Sequence, residues 1–196
     1  LTRLQGKPMS RSQHGVPKPV LTPLQRREQT ARRTAAALGY NECVTYSFID
    51  NQAATLFGGG GGATMLENPI SSEMSHMRPA LLPGLLRAAA RNQARGFADL
   101  ALFEVGHAFH GGEPEEQHLM VTGLLVGRTG PKDVHGTQRP VDIYDAKAAA
   151  EAVLSAMGAP AKVQILRGAD DWWHPGRHGK ICLGPKKVLG IFGELH

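Results

Sequence analysis

The sequence predicts an α+β fold with a mainly antiparallel sheet, on three observations. Apolar, strand-like runs come in neighbouring pairs: 100–105 with 119–126 around Gly111-Gly112, and 181–183 with 188–191 around a Gly-Pro-Lys-Lys turn. Helical stretches fall between these runs without the strict strand–helix alternation that builds a parallel sheet. No internal repeat is visible.

The elements follow in order. Residues 1–20 hold three prolines, several basic residues and little periodicity, and are expected to be a linker or the tail of a preceding domain. The first helix is well punctuated, with Thr22 as N-cap, Pro23 at the first helical position and Gly39 after the last turn. Leu24, Ala31 and Leu38 fall seven apart with Ala35 beside them, a narrow apolar stripe flanked by Arg26, Arg27, Arg32 and Arg33. Such an alanine-rich stripe permits close approach of another helix or of a sheet. Residues 43–49 alternate, placing Val44, Tyr46 and Phe48 on one side of an expected strand. Asp50 is placed to cap a short helix running to Phe57. The five glycines 58–62 lack the Lys-Ser/Thr and the strand-to-helix context of a phosphate loop, so a surface turn is expected.

Asn68-Pro69 and Ser71-Ser72 mark a loop. The next helix has Pro83 in its first turn, an apolar face of Leu82, Leu85, Leu86 and Ala89, and Arg87, Arg91 and Arg95 at four-residue spacing on another face. Gly96 is its natural stop. Residues 127–140 are polar and irregular, an expected exposed loop. An alanine-rich helix ending at Met157-Gly158 follows, with Asp145 expected as its cap, and Val163 and Ile165 open a further strand.

Composition bounds the function. A chain of 196 residues with 41% hydrophobic content suits one core. Two cysteines, Cys43 and Cys182, argue against a disulfide framework or a multi-thiolate zinc site. No run reaches the length of a membrane span, and a cytoplasmic location is expected. The net charge of +5 and pI of about 9.5 suit a nucleic-acid neighbour, an acidic partner or a solvated surface. Arginines spread over several helices, with only 6% aromatics, favour the surface. The ending IFGELH lies in an apolar, strand-like run, so a domain spanning 21–196 and truncated at its C-terminus is expected.

Three phrases between Asn68 and His110, NPISSE, MRPALLPGLL and LALFEVG, stand in the order found in the central domain of the bacterial phenylalanyl-tRNA synthetase beta subunit family, which this chain resembles. LTPLQRREQTARRTAAALGYNECVTYSFID is similar to that family's opening helix and first strand. VDIYDAKAAAEAVL, HPGRHGKICLG and VLGIFGELH continue the likeness, with His178-Gly179 departing from the family phrase. It covers about residues 21–196. The resemblance implies a class II aminoacyl-tRNA synthetase-like fold, an antiparallel sheet flanked by helices. It further implies a heterotetramer of two alpha and two beta subunits, a ligase of protein biosynthesis. In it the alpha subunit uses ATP and magnesium to charge tRNA with phenylalanine, while the beta domain has lost its catalytic residues. The opening helix and first strand correspond to the dimerisation motif pairing alpha with beta. The interface residues so implied are Leu24, Ala31, Ala35 and Leu38, with Arg78 and Leu85 from the MRPALLPGLL block; no catalytic, cofactor or metal-binding residue is expected in this chain.

The chemistry agrees with a silent site. Adenylate formation needs cations around the phosphates. Where an active class II domain carries an arginine after the strand resembling LALFEVGHAFH, this chain has His107, Ala108, Phe109 and His110. Arg78 matches the family phrase, but one cation is not a phosphate clamp. Glu104, Glu115, Glu116 and Asp142 have no spacing that fixes an acid–base pair. The pairs His107/His110 and His174/His178 raise zinc as a rival, which Pro175-Gly176 weakens by breaking helical spacing; HPGRH reads as a turn entering a strand. Trp172 and Trp173 read as interface or edge aromatics. Two further readings stand beside the interface: a stand-alone paralogue binding an amino acid or nucleotide, and direct tRNA contact through Arg87, Arg91 and Arg95.

Overall fold

Helix ends are set by local chemistry in the computed structural model, which describes residues 20–130, 134, 136, 138–168 and 170–196. The expected linker therefore lies almost wholly outside the described residues. Helix α1 (Pro23–Ala37) starts at a reciprocal box: the Gln25 N–H donates to the Thr22 hydroxyl, and the Thr22 N–H donates to the Gln25 side chain. Gly39 follows at φ +88°, where a side chain is disfavoured. Two-residue strands β1 (Asn41–Glu42) and β2 (Phe48–Ile49) come next, then helix α2 (Asn51–Leu56), capped by Asp50 as expected, and strand β3 (His76–Met77).

The expected continuous strand over 43–49 is thus split. Residues 43–47 leave the ladder, with burial still alternating along 43–46 and a bend at Ser47, for reasons given below. Helix α3 (Leu82–Gln93) buries Leu82, Leu85, Ala88 and Ala89. Arg95 lies beyond its C-cap Ala94, so the three arginines do not share one helical face.

Strands β4 (Leu100–Phe109) and β5 (Gln117–Val126) form a long antiparallel hairpin, and β1 adds to β4 in parallel, giving the order β1-β4-β5. Helix α4 (Ile143–Ala156) is capped by Asp142, not by Asp145. Asp145 is the third helical residue and accepts the Asp142 N–H in return. Strands β6 (Gln164–Leu166), β7 (Trp173–Leu183) and β8 (Lys187–Leu195) form a second antiparallel sheet. The phrase HPGRH is no turn: it runs inside β7, with a register shift between Trp173 and His178. Pro175 has no N–H for the ladder, which a bulge accommodates.

The central hairpin alternates faces as a strand must. On one side Leu100, Leu102, Leu124 and Val126 pack with Leu85, Ala88 and Ala89 of α3. On the other Phe103, Val105, Leu119 and Val121 pack with Ala35 of α1 and with Tyr40. Helix α4 lies against α1 and β8, so it joins the β1-β4-β5 side to the β6-β7-β8 sheet, while β2 and β3 pair in a sheet of their own. No helix among the described residues is long and apolar enough to cross a membrane.

Candidate functional site

Glu104 interrupts an otherwise apolar strand, and its alternation places it on the α3 side with Leu102. A carboxylate there requires a cation, and Arg78 supplies it. The guanidinium Nη1 donates to Glu104 Oε1 at 2.8 Å, and the two residues are 3% and 2% exposed. Arg78 is held further by donation from Nε to the His107 carbonyl at 2.9 Å. Its backbone N–H donates to the Ser47 carbonyl, and its carbonyl accepts from the Phe109 N–H, each at 2.9 Å. Thr45 completes the junction: its hydroxyl donates to Glu104 Oε2 at 2.7 Å and accepts from Arg78 Nη1 at 2.9 Å, while its N–H donates to Glu104 Oε1 at 3.2 Å. Gly106 leaves the space this needs, since a Cβ there would lie 2.6 Å from Arg78 Nη2.

Around this buried junction the chain turns apolar side chains outward. Val44 is 90% exposed and Tyr46 is 74% exposed, while Cys43, Thr45 and Ser47 point inward. On the adjoining helix Leu24 is 58% and Leu38 45% exposed. Helix and returning segment lie side by side, bridged by Arg32, which pairs with Glu42 and with Glu28 and also donates to the Val105 carbonyl. Burial, with the Glu104 carboxylate nearby, pushes the Cys43 thiol up, which opposes thiolate formation.

The six residues assigned to an interface from sequence divide. Leu24 and Leu38 lie on the surface. Ala31 and Ala35 are buried under α1, Leu85 is buried under α3, and Arg78 is committed to Glu104, so all four are occupied within this chain. Sequence reasoning missed Val44, Tyr46 and Thr45 as a unit. The available sign was a lone carboxylate on the core parity of an apolar strand.

Other candidates fall apart geometrically. His107 lies within β4 and His110 just past its end, where it approaches His118 with ring centroids 5.2 Å apart. His178 bonds through Nδ1 to the His174 carbonyl at 2.6 Å. Among the described residues no three His, Cys, Asp or Glu side chains converge to hold a metal. The donors at the end of β4 do not fit a nucleotide: they are histidines, and the buried Arg78 is neutralised by Glu104. Arg87 of α3 pairs with Asp50. Among the described residues, open clefts include one of about 300 Å³ lined by Phe48, Leu66, Ile70 and Met74, and one of about 410 Å³ beside Asp170, Asp171 and Trp172. Neither is lined by an arginine. The glycine run is a surface turn, but a packed one: a Cβ on Gly59 would lie 2.9 Å from Pro79.

Comparison with known proteins gives one answer. The family described as "Phenylalanyl tRNA synthetase beta chain CLM domain" matches residues 8–196. The chain is 78% identical over all 196 residues to the phenylalanine–tRNA ligase beta subunit of Ruegeria pomeroyi, covering 25% of that protein. It is 70% identical over its whole length to that of Cereibacter sphaeroides, covering 24% of it. With the Rhodospirillum rubrum protein it shares 50% over 182 residues, 92% of this chain and 23% of the relative. The chain thus spans about a quarter of these curated relatives. Among solved structures, a pyrrolysyl-tRNA synthetase from Desulfitobacterium hafniense superposes with a TM-score of 0.62 at 15% identity, over 86% of this chain and 57% of that one, a likeness of fold.

Proposed function

Since the chain belongs to the phenylalanyl-tRNA synthetase beta chain family, we propose that it is the beta subunit's synthetase-like domain, pairing with the catalytic alpha subunit of phenylalanine–tRNA ligase and catalysing nothing itself. Residues 21–196 form this domain. In the assembled cytoplasmic enzyme the alpha subunit uses ATP and magnesium, and the tRNA meets the holoenzyme rather than a dedicated basic face of this domain.

The supporting observation is the outward apolar side of the first helix and its return. Leu24, Leu38, Val44 and Tyr46 all face solvent there, in the region that resembles the class II pairing motif. Apolar side chains gathered on one side are the composition of an interface core. Ala31 and Ala35 lie between Leu24 and Leu38 on the same stripe and seat the helix on the sheet, while Leu85 and Arg78 are buried in the interior. The amino-acid- or nucleotide-binding alternative is not favoured, because identity to beta subunits runs along the whole chain.

Native mass spectrometry of the intact beta chain with its alpha subunit tests the reading. A stoichiometric complex that weakens on combined Leu24→Ser and Leu38→Ser substitution supports it. Absence of any complex overturns it, and full assembly despite both substitutions, made together with Tyr46→Ser, moves the contact to another face.

A further inference from the structure

Resting on that pairing function, we propose that Glu104 and Arg78 are positioning residues for the interface. Their side chains stand in for a missing strand and hold Val44 and Tyr46 outward as contacts for the alpha subunit. β1 has only two paired residues, and its last rung is the Cys43 N–H donating to the Phe103 carbonyl at 2.7 Å. Past that rung the chain leaves β4. The next inward residue, Thr45, finds its N–H satisfied by the Glu104 carboxylate instead of a main-chain carbonyl, and its hydroxyl held between Glu104 and Arg78. The following inward residue, Ser47, is held through its carbonyl by the Arg78 N–H. Side chains therefore continue the ladder where backbone does not.

This matters because the segment has little else to order it. Its two largest side chains, Val44 and Tyr46, face water, so hydrophobic burial within this chain does not offset the entropy lost on extending it. The junction is rigid: Arg78 is tied at both backbone groups and through Nε, and the site has no spare room at Gly106. An extended strip ordered from behind, with apolar side chains presented in front, is preorganised for a partner. The occupant is the alpha subunit, because the strip is continuous with α1 through Arg32 and Glu42 and so with Leu24 and Leu38.

The test uses the intact beta chain. Thr45→Val keeps the side-chain shape and removes the hydroxyl that Glu104 and Arg78 grip; Thr45→Ser keeps the hydroxyl; Tyr46→Ser alters only the presented face. Hydrogen exchange over 43–47 is read in the unassembled chain, with the dissociation constant for alpha and the melting temperature. For Thr45→Val we expect exchange to rise at 43–47 alone, and affinity to fall about tenfold, in step with the loss of the competent conformer. Thr45→Ser should behave as the parent. A lower melting temperature with unchanged affinity overturns the positioning role. If Tyr46→Ser weakens association while Thr45→Val changes neither exchange nor affinity, the positioning role fails and the pairing function stands. If Tyr46→Ser leaves alpha binding intact and separates beta from beta, the occupant is a second copy, the positioning role for alpha fails, and pairing with alpha uses another face.

Discussion

The Arg78 guanidinium and the Glu104 carboxylate meet at 2.8 Å with both side chains almost wholly removed from water. Neither is satisfied by its partner alone: Arg78 also donates to the His107 carbonyl and the Thr45 hydroxyl, and Glu104 also accepts from Thr45. A buried pair of this kind adds little net stability over apolar residues, because desolvation opposes the attraction. Its contribution is to fix which segments meet.

Removing one partner should therefore cost far more than removing both. Glu104→Ala leaves a buried cation and is expected to lose about 3–5 kcal/mol, measured by urea unfolding. Arg78→Met with Glu104→Leu should recover most of that loss. A double variant as unstable as the single one would contradict the desolvation argument.

Asp50 gives a pH signature. Its carboxyl is held below its ordinary 3.8 by the Ala53 N–H it accepts and by Arg87 beside it, with burial opposing. A depressed carboxylate contributes stability that is present above its unfolded value and is lost as pH falls through the folded one. Asp50→Asn keeps an N-cap and removes only the charge. It should lower the urea midpoint at neutral pH and match the parent in strong acid, below the folded value. An equal deficit at both pH values would show that charge is not the cause.

The five glycines should not be interchangeable. Gly60 sits at φ +81° against Thr55, and Gly59 faces Pro79, whereas Gly61 and Gly62 face open space. Alanine at 59 or 60 is expected to destabilise by about 1 kcal/mol or more. Alanine at 61 or 62 should be close to neutral in the same thermal unfolding series.

Helix α1 separates two kinds of substitution. Ala31→Leu overpacks a buried contact inside this chain and should lower its own stability by about 1–3 kcal/mol. Leu24→Ser acts on the surface and should leave the melting temperature unchanged while weakening alpha binding in a titration. The reverse pattern would exchange the two roles.

Sequence made the short-range features legible and the long-range ones opaque. Thr22, Pro23, Gly39 and Asp50 act within a few residues, so their types and order were enough. Asp142 and Asp145 were harder, because a reciprocal box offers two aspartates and only backbone geometry says which precedes the helix. The split of the 43–49 strand was hidden, since Val44, Tyr46 and Phe48 alternate as well in a free extended strip as in a ladder. What ends the pairing is a carboxylate 59 positions away from Thr45. Ala31, Ala35, Leu85 and Arg78 are buried within this chain, a placement the sequence left open, because an alanine stripe does not say whether its neighbour belongs to this chain.

The short parallel pairing of β1 with β4 also bears on the order in which the molecule is made. The β4–β5 and β7–β8 hairpins close small loops and form quickly, whereas joining Asn41 to Leu102 must wait for everything between them to collapse. The strip carrying Val44 and Tyr46 is consequently among the last features to appear. On the proposed pairing, an incompletely folded chain would lack the surface offered to the alpha subunit, and assembly would select finished domains.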